Sequence, residues 1–268
     1  MIRLAANLTM LFGEHEFLDR FAAAAEAGFN GVEYLFPYAY TPDALSAALN
    51  ESRLEQVLFN LPPGDWEGGE RGLTSLPGRE PEFRDSLVEA LHYAEVLGCP
   101  RVHAMAGLLP EGGDANADAE ARAAHHATYV ANLRYAAREA AKCGREVLIE
   151  PINTRDMPGF FLSHQAQAMA VLNEVGEPNL RLQFDLYHCQ IMEGDLIRHL
   201  ERQFDVIGHV QIAGVPERHE PDVGEVHYPA LFKRLEALGY NGWVGCEYRP
   251  RGATRSGLGW GENYGLHV

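Results

Sequence analysis

Cysteine is scarce in this 268-residue chain, and the four present, Cys99, Cys143, Cys189 and Cys246, lie far apart with no CxxC pair. That spacing argues against a disulfide framework and for a reducing, cytoplasmic setting. Basic residues are also few. The 22 Lys and Arg face 38 Asp and Glu, for a formal charge of −16. So acidic a surface repels phosphate backbones, which argues against a nucleic-acid partner. A small anionic substrate is still admissible, because a few arginines can dominate the field inside a cleft. No apolar run approaches the roughly 18 residues of a membrane span. The N-terminal MIRLAANLTML lacks the long apolar core and small-residue cleavage site of a signal peptide. No P-loop, GxGxxG or GxSxG pattern offers nucleotide or acyl chemistry.

What the chain does have is alternation. Strand-like runs fall near 2–8, 31–36, 54–60, 101–106, 145–150, 180–185, 206–211 and 242–247. Amphipathic helical runs fall between them, near 14–28, 41–51, 80–98, 118–143, 163–175, 192–203 and 228–239. Gly28, Gly98, Gly144 and Gly239 close helices just before a strand, where a left-handed cap suits glycine. Eight such units predict a parallel α/β sheet closed into a (β/α)₈ TIM barrel. A doubly wound open sheet is disfavoured because Asn7-Leu8-Thr9-Met10, not a glycine-rich turn, follows the first strand. No Pro/Gly/Ser linker divides the chain, so residues 1–268 read as one domain with an irregular, glycine-rich tail over 248–268. The long connections, 61–79, 107–117, 151–162 and 212–227, all follow strands. That asymmetry puts the working face at the carboxyl ends of the strands.

Those ends carry a pattern. The apolar run Val147-Leu148-Ile149 stops at Glu150, and the next three strands stop at Asp185, Gln211 and Glu247, each one βα unit apart. Alone, any of these reads equally well as a helix cap or a surface carboxylate. Together, three carboxylates and an amide at matched height would repel one another unless a cation joins them. An all-oxygen set suits one hard divalent ion, Mg²⁺ or Mn²⁺. Nearby, His188 is expected at the start of a loop, holding a substrate oxygen. Arg218 would pair with a substrate carboxylate, and Arg71 beside Trp66 would close over the site. His209 and Gln183 should point into the barrel two residues below a ligand, His103 should be core, and Cys246 should face the helices. Glu33 fits the rim or the interior equally well.

The runs NLPPGDWEGGERG (60–72), PGREPEFRD (77–85), LIEPIN (148–153), FDLYHCQIMEGD (184–195), GHVQIA (208–213) and GWVGCEYRP (242–250) together resemble the hydroxypyruvate isomerase family. That family lies among the xylose-isomerase-like, tagatose-epimerase-like TIM barrels. The resemblance implies isomerisation of hydroxypyruvate to tartronate semialdehyde through an enediolate. It further implies a divalent ion on Glu150, Asp185, Gln211 and Glu247, with Glu150 and Glu247 as the proton-transferring pair. Glutamine at 211, where related sugar epimerases usually carry histidine, fits this branch. A 2-oxo-tetronate isomerase is the neighbouring alternative, and a ketose or sugar-acid epimerase a more distant one. A metal-dependent DNA-repair endonuclease would need more histidine ligands and a basic face. A non-catalytic binder would have no use for the ion. Such barrels often pair through their outer helices, so a homo-oligomer is one expected assembly. The motifs give Arg249 no role.

Overall fold

The computed structural model describes residues 2–110 and 115–268. Eight parallel strands close into a barrel in sequence order, as the alternation predicts. They are β1 Arg3–Asn7, β2 Gly31–Glu33, β3 Glu55–Asn60, β4 Arg101–His103, β5 Glu146–Ile149, β6 Leu180–Asp185, β7 Ile207–Ile212 and β8 Trp243–Cys246. The helices are α1 Asp19–Glu26, α2 Pro42–Ser52, α3 Glu80–Val96, α4 Ala115–Lys142, α5 Gln165–Val175, α6 Leu186–Met192, α7 Leu196–Gln203 and α8 Tyr228–Leu238. Part of the loop expected over 107–117, residues 111–114, lies outside the described residues.

Local chemistry explains the helices. In α3, Phe83, Leu87, Ala90 and Ala94 recur at helical spacing and are all buried. At the start of α2, Thr41 Oγ1 accepts the Ala44 N–H at 3.3 Å, and Pro42 sits where its missing N–H costs nothing. Gly239 ends α8 with φ +82°, the left-handed conformation that a side chain resists. Residues 254–264 wind into 3₁₀ turns.

Strand alternation sorts the side chains. Val147, Ile149, Val210, Ile212 and Cys246 point outward into the core shared with the helices, which is where Cys246 was expected. Inside the barrel the amino-terminal end is plugged by Ala5, Val57, Leu148 and Trp243. Above that plug the interior turns polar. Glu33 lies in it, not on the rim. Its Oε2 meets His209 Nε2 at 2.6 Å, and its Oε1 accepts from Asn7 Nδ2 at 3.1 Å and Gln211 Nε2 at 2.7 Å. The space for Glu33 comes from Gly245, where a Cβ would fall 2.3 Å from Glu33 Oε2.

The register sets the height of the upper layer. Asp185 pairs with Gln211, and Gln211 with Gly245, so Glu247, just past the end of β8, stands two residues further on along the same inward face.

Candidate active site

At the carboxyl ends of the strands lies a cleft of about 290 Å³, lined among others by Trp66, Arg71, Glu150, His188, Arg218 and Glu247. A larger hollow of about 840 Å³ sits at the opposite end of the barrel around Trp243 and Arg3. Its lining includes Arg3, Glu55, Glu95 and Arg101 at the amino-terminal end of the strands, whereas barrels of this kind carry their chemistry at the carboxyl end, where the smaller cleft lies.

Four inward residues form the floor: Glu150, Asp185, Gln211 and Glu247 are 5%, 1%, 2% and 6% exposed. Asp185 does two jobs. Its Oδ1 accepts from Tyr187 N at 2.6 Å and His188 N at 3.3 Å, capping α6. Its Oδ2 is buried without a hydrogen-bond partner. His188 therefore sits in the first turn of a helix, not at the start of a loop. The signal was present in the sequence, since aspartate before Leu-Tyr-His is a strong helix start, but no turn residue separates it from β6.

Glu150 Oε1 is likewise buried and unpartnered. One ligand atom from each of Glu150, Asp185 and His188 lies within 4.8 Å of the other two. His188 Nε2 stands 3.6 Å from Asp185 Oδ2 and 3.9 Å from Glu150 Oε1. The far side of the ring decides what Nε2 does. Asn153 offers its backbone N–H to His188 Nδ1 at 3.4 Å and its Nδ2 at 2.6 Å. The Asn153 amide is itself oriented by Asp156, whose N–H donates to Oδ1 at 2.7 Å and whose Oδ2 accepts from Nδ2 at 3.1 Å. Nδ1 is thus an acceptor, and the proton lies on Nε2. Burial, reinforced by Arg218, holds His188 well below its usual pKa, so it is neutral and presents an N–H to the cleft.

Gln211 and Glu247 are tied together. Gln211 Oε1 accepts from Gln183 Nε2 at 2.6 Å, while its Nε2 donates to Glu33 and to Glu247 Oε2. The Gln211 amide nitrogen, not its oxygen, therefore faces Glu247. Arg218 Nη2 donates to Glu247 Oε1 at 2.6 Å and lies 3.8 Å from Asp185 Oδ2. Its guanidinium also stacks on Tyr187 at 5.0 Å. Arg218 thus serves the protein's own carboxylates and carries part of the charge balance assigned, from sequence, to a metal alone.

The remaining charge is still large. Burial pushes Glu150 well above the usual carboxylate range, with Glu247 and Asp185 adding to the rise. Burial lifts Asp185 to about 6 and Glu247 to about 8, against the pull of Arg218. Two unpartnered carboxylate oxygens facing one another, in a floor that disfavours their charge, fit a hard divalent cation. Glu150 and Asp185 offer the free oxygens for it. Glu247 and Gln211 stand beside them, engaged by Arg218 and Gln183.

Trp66 and Arg71 line the cleft as expected, with Trp66 edge-on to Phe36 at 4.9 Å and Arg71 over Trp66 at 4.2 Å. Gln183 points inward, and its Oε1 is a third unpartnered oxygen. His103 is buried but lines the cleft, with Nδ1 on Asn60 Oδ1 at 3.2 Å and Nε2 unpartnered. Burial holds its pKa down at about 3. Asn60 and Arg249, which line the cleft, and Asn153, which holds His188 from behind, were missed by sequence reasoning, since nothing in their spacing points to these positions.

Known proteins share this architecture. The model of the xylose isomerase-like TIM barrel family matches residues 21–264. The 2-oxo-tetronate isomerase of Cupriavidus necator is 58% identical, over 98% of this chain and 99% of its own. The hydroxypyruvate isomerase of Escherichia coli is 48% identical, over 98% and 100%. A solved structure described as an AP endonuclease, family 2, from Brucella melitensis superposes with a TM-score of 0.94 at 53% identity, over 98% and 99%. On the matched barrel and these full-length relatives, the chain belongs to the xylose isomerase-like TIM barrel family and is one of its isomerases.

Proposed function

We propose that this enzyme moves the carbonyl of a short 2-oxo-3-hydroxy acid between carbons 2 and 3, with hydroxypyruvate as substrate and 2-oxo-tetronate as the alternative. The two compounds share the reacting unit and differ only in a hydroxymethyl group on carbon 3. The observation that carries this reading is the pair of glutamates, Glu150 and Glu247, buried in one cleft beside the unpartnered Asp185 oxygen. The four free thiols support a cytoplasmic setting.

The reaction removes a proton from carbon 3, places one on carbon 2, and transfers the hydroxyl proton from O3 to O2. Of the two glutamates, Glu150 has an oxygen without a donor, whereas both oxygens of Glu247 accept hydrogen bonds. Glu150 is thus the group placed to take the carbon-bound proton, and Glu247, steadied by Arg218 and Gln211, faces it as the second proton carrier. The His188 Nε2–H, fixed by Asn153, donates to the substrate oxygen on which negative charge grows. Held by Glu150 and Asp185 with Glu247 and Gln211 beside them, a divalent ion would supply the positive charge that stabilises the enediolate oxygens. Trp66 and Arg71 shield this chemistry from water.

NMR in D₂O with Mg²⁺ tests the reading, with hydroxypyruvate and 2-oxo-tetronate offered separately. We expect solvent deuterium at carbon 3 or carbon 2 of one recovered compound. Exchange in neither acid, with inversion of a ketohexose centre instead, would overturn it in favour of an epimerase.

A further inference from the structure

The cleft holds three guanidinium groups, and their commitments differ. Arg218 is 9% exposed and spends its charge on Glu247 and Asp185. It has no free fork for an incoming anion. Arg71 is held by one nitrogen, Nη1, which donates to Trp66 O at 3.0 Å and Glu70 O at 2.7 Å. Both acceptors are neutral carbonyls. Arg249 lines the same cleft, and its backbone is pinned beside Arg218. Its N–H donates to Arg218 O at 2.6 Å, and its carbonyl meets His219 Nδ1 at 2.8 Å. Among the described residues, no carboxylate pairs with the guanidinium of Arg71 or Arg249.

We infer that Arg249, assisted by Arg71, is the receptor for the substrate carboxylate, while Arg218 is a structural counter-ion of the glutamate floor. This rests on the function proposed above and adds to it which end of the substrate is recognised, and by what. In a chain of formal charge −16, two guanidiniums in an acidic cleft with no carboxylate partner among the described residues are what let a carboxylate enter it. A planar fork matches a carboxylate with two parallel hydrogen bonds. The carboxylate is common to hydroxypyruvate and 2-oxo-tetronate, so the clamp selects for 2-oxo acids and is indifferent to the group on carbon 3.

The test is Arg249→Met, with Arg249→Lys as the conservative variant and dihydroxyacetone as a neutral probe in which a hydroxymethyl replaces the carboxylate. Among the described residues no hydrogen bond or ion pair holds the Arg249 side chain, so the fold should survive. For the keto acid, kcat/KM should fall roughly 10- to 100-fold in Arg249→Met, mainly through KM, and Arg249→Lys should recover part of it. Deuterium wash-in to dihydroxyacetone should change by less than about 3-fold. An equal fall for acid and neutral probe would mean a structural role and overturn the inference. So would an unchanged KM for the acid. Calorimetric binding of tartronate, an unreactive carboxylate, separates this inference from the proposed function. Arg249-dependent tartronate binding by a protein that exchanges neither keto acid would keep the clamp and discard the isomerase substrate. Turnover of a keto acid with tartronate binding unchanged in Arg249→Met would do the reverse.

Discussion

Replacing Glu150 or Glu247 by glutamine should cost roughly 10²–10⁴-fold in kcat while the protein stays folded. The substitution keeps shape and hydrogen-bonding capacity but removes the ability to take up and release a proton. Each glutamate is part of a floor in which burial already disfavours the charged form, so the barrel should still form without one of the two carboxylates. The two variants should differ in one respect. Glu247→Gln leaves Arg218 without its partner at 2.6 Å, so its KM and thermal stability should shift as well. Glu150→Gln breaks no hydrogen bond at the unpartnered oxygen, but it should also weaken uptake of the divalent ion proposed there. Steady-state kinetics with thermal unfolding of both proteins reads this out. Full activity in either variant would remove the glutamate pair from the mechanism.

The second large effect concerns Arg218. Its guanidinium is the protein's own cation between Asp185 and Glu247, at 3.8 and 2.6 Å. Arg218→Met keeps most of the packing on Tyr187 but leaves two buried carboxylates without that charge. Breaking a buried pair from one side typically costs about 3–5 kcal/mol. Urea unfolding in EDTA should show a loss of that order. Added Mn²⁺ should return part of it, and should stabilise the variant more than the parent, because a second cation then has more charge to neutralise. A variant as stable as the parent in EDTA would show that Arg218 is not the counter-ion of this floor.

The fold was legible in the sequence because barrel strands repeat one local pattern, an apolar run with a polar residue at its carboxyl end. Glu150, Asp185, Gln211 and Glu247 could be aligned by eye because each lies at or near the carboxyl end of a strand. The matched height expected of them is not what the register gives: Gln211 pairs with Gly245, so Glu247 stands two residues beyond it. What stayed hidden depends on contacts between distant segments. Glu33 and His209 meet at 2.6 Å although 176 residues separate them, and no spacing rule points from one to the other. Arg218 could be seen as a cation near the mouth, but not that Glu247 already claims it. The tautomer of His188 is set by Asn153, 35 residues away. The helix α6 was missed for a local reason. It begins directly on the last residue of β6, whose aspartate both ends the strand and caps the helix. The helical run expected from residue 14 begins only at Asp19, because residues 14–18 form turns and irregular backbone.

The most direct measurement is titration of the metal-stripped protein with Mn²⁺, followed by electron paramagnetic resonance of the free ion. One Mn²⁺ should disappear per chain, and Asp185→Asn, which keeps the α6 cap oxygen but loses the free charge, should abolish that uptake. No stoichiometric uptake by the parent, or uptake that survives Asp185→Asn, would show that these buried oxygens do not hold a cation.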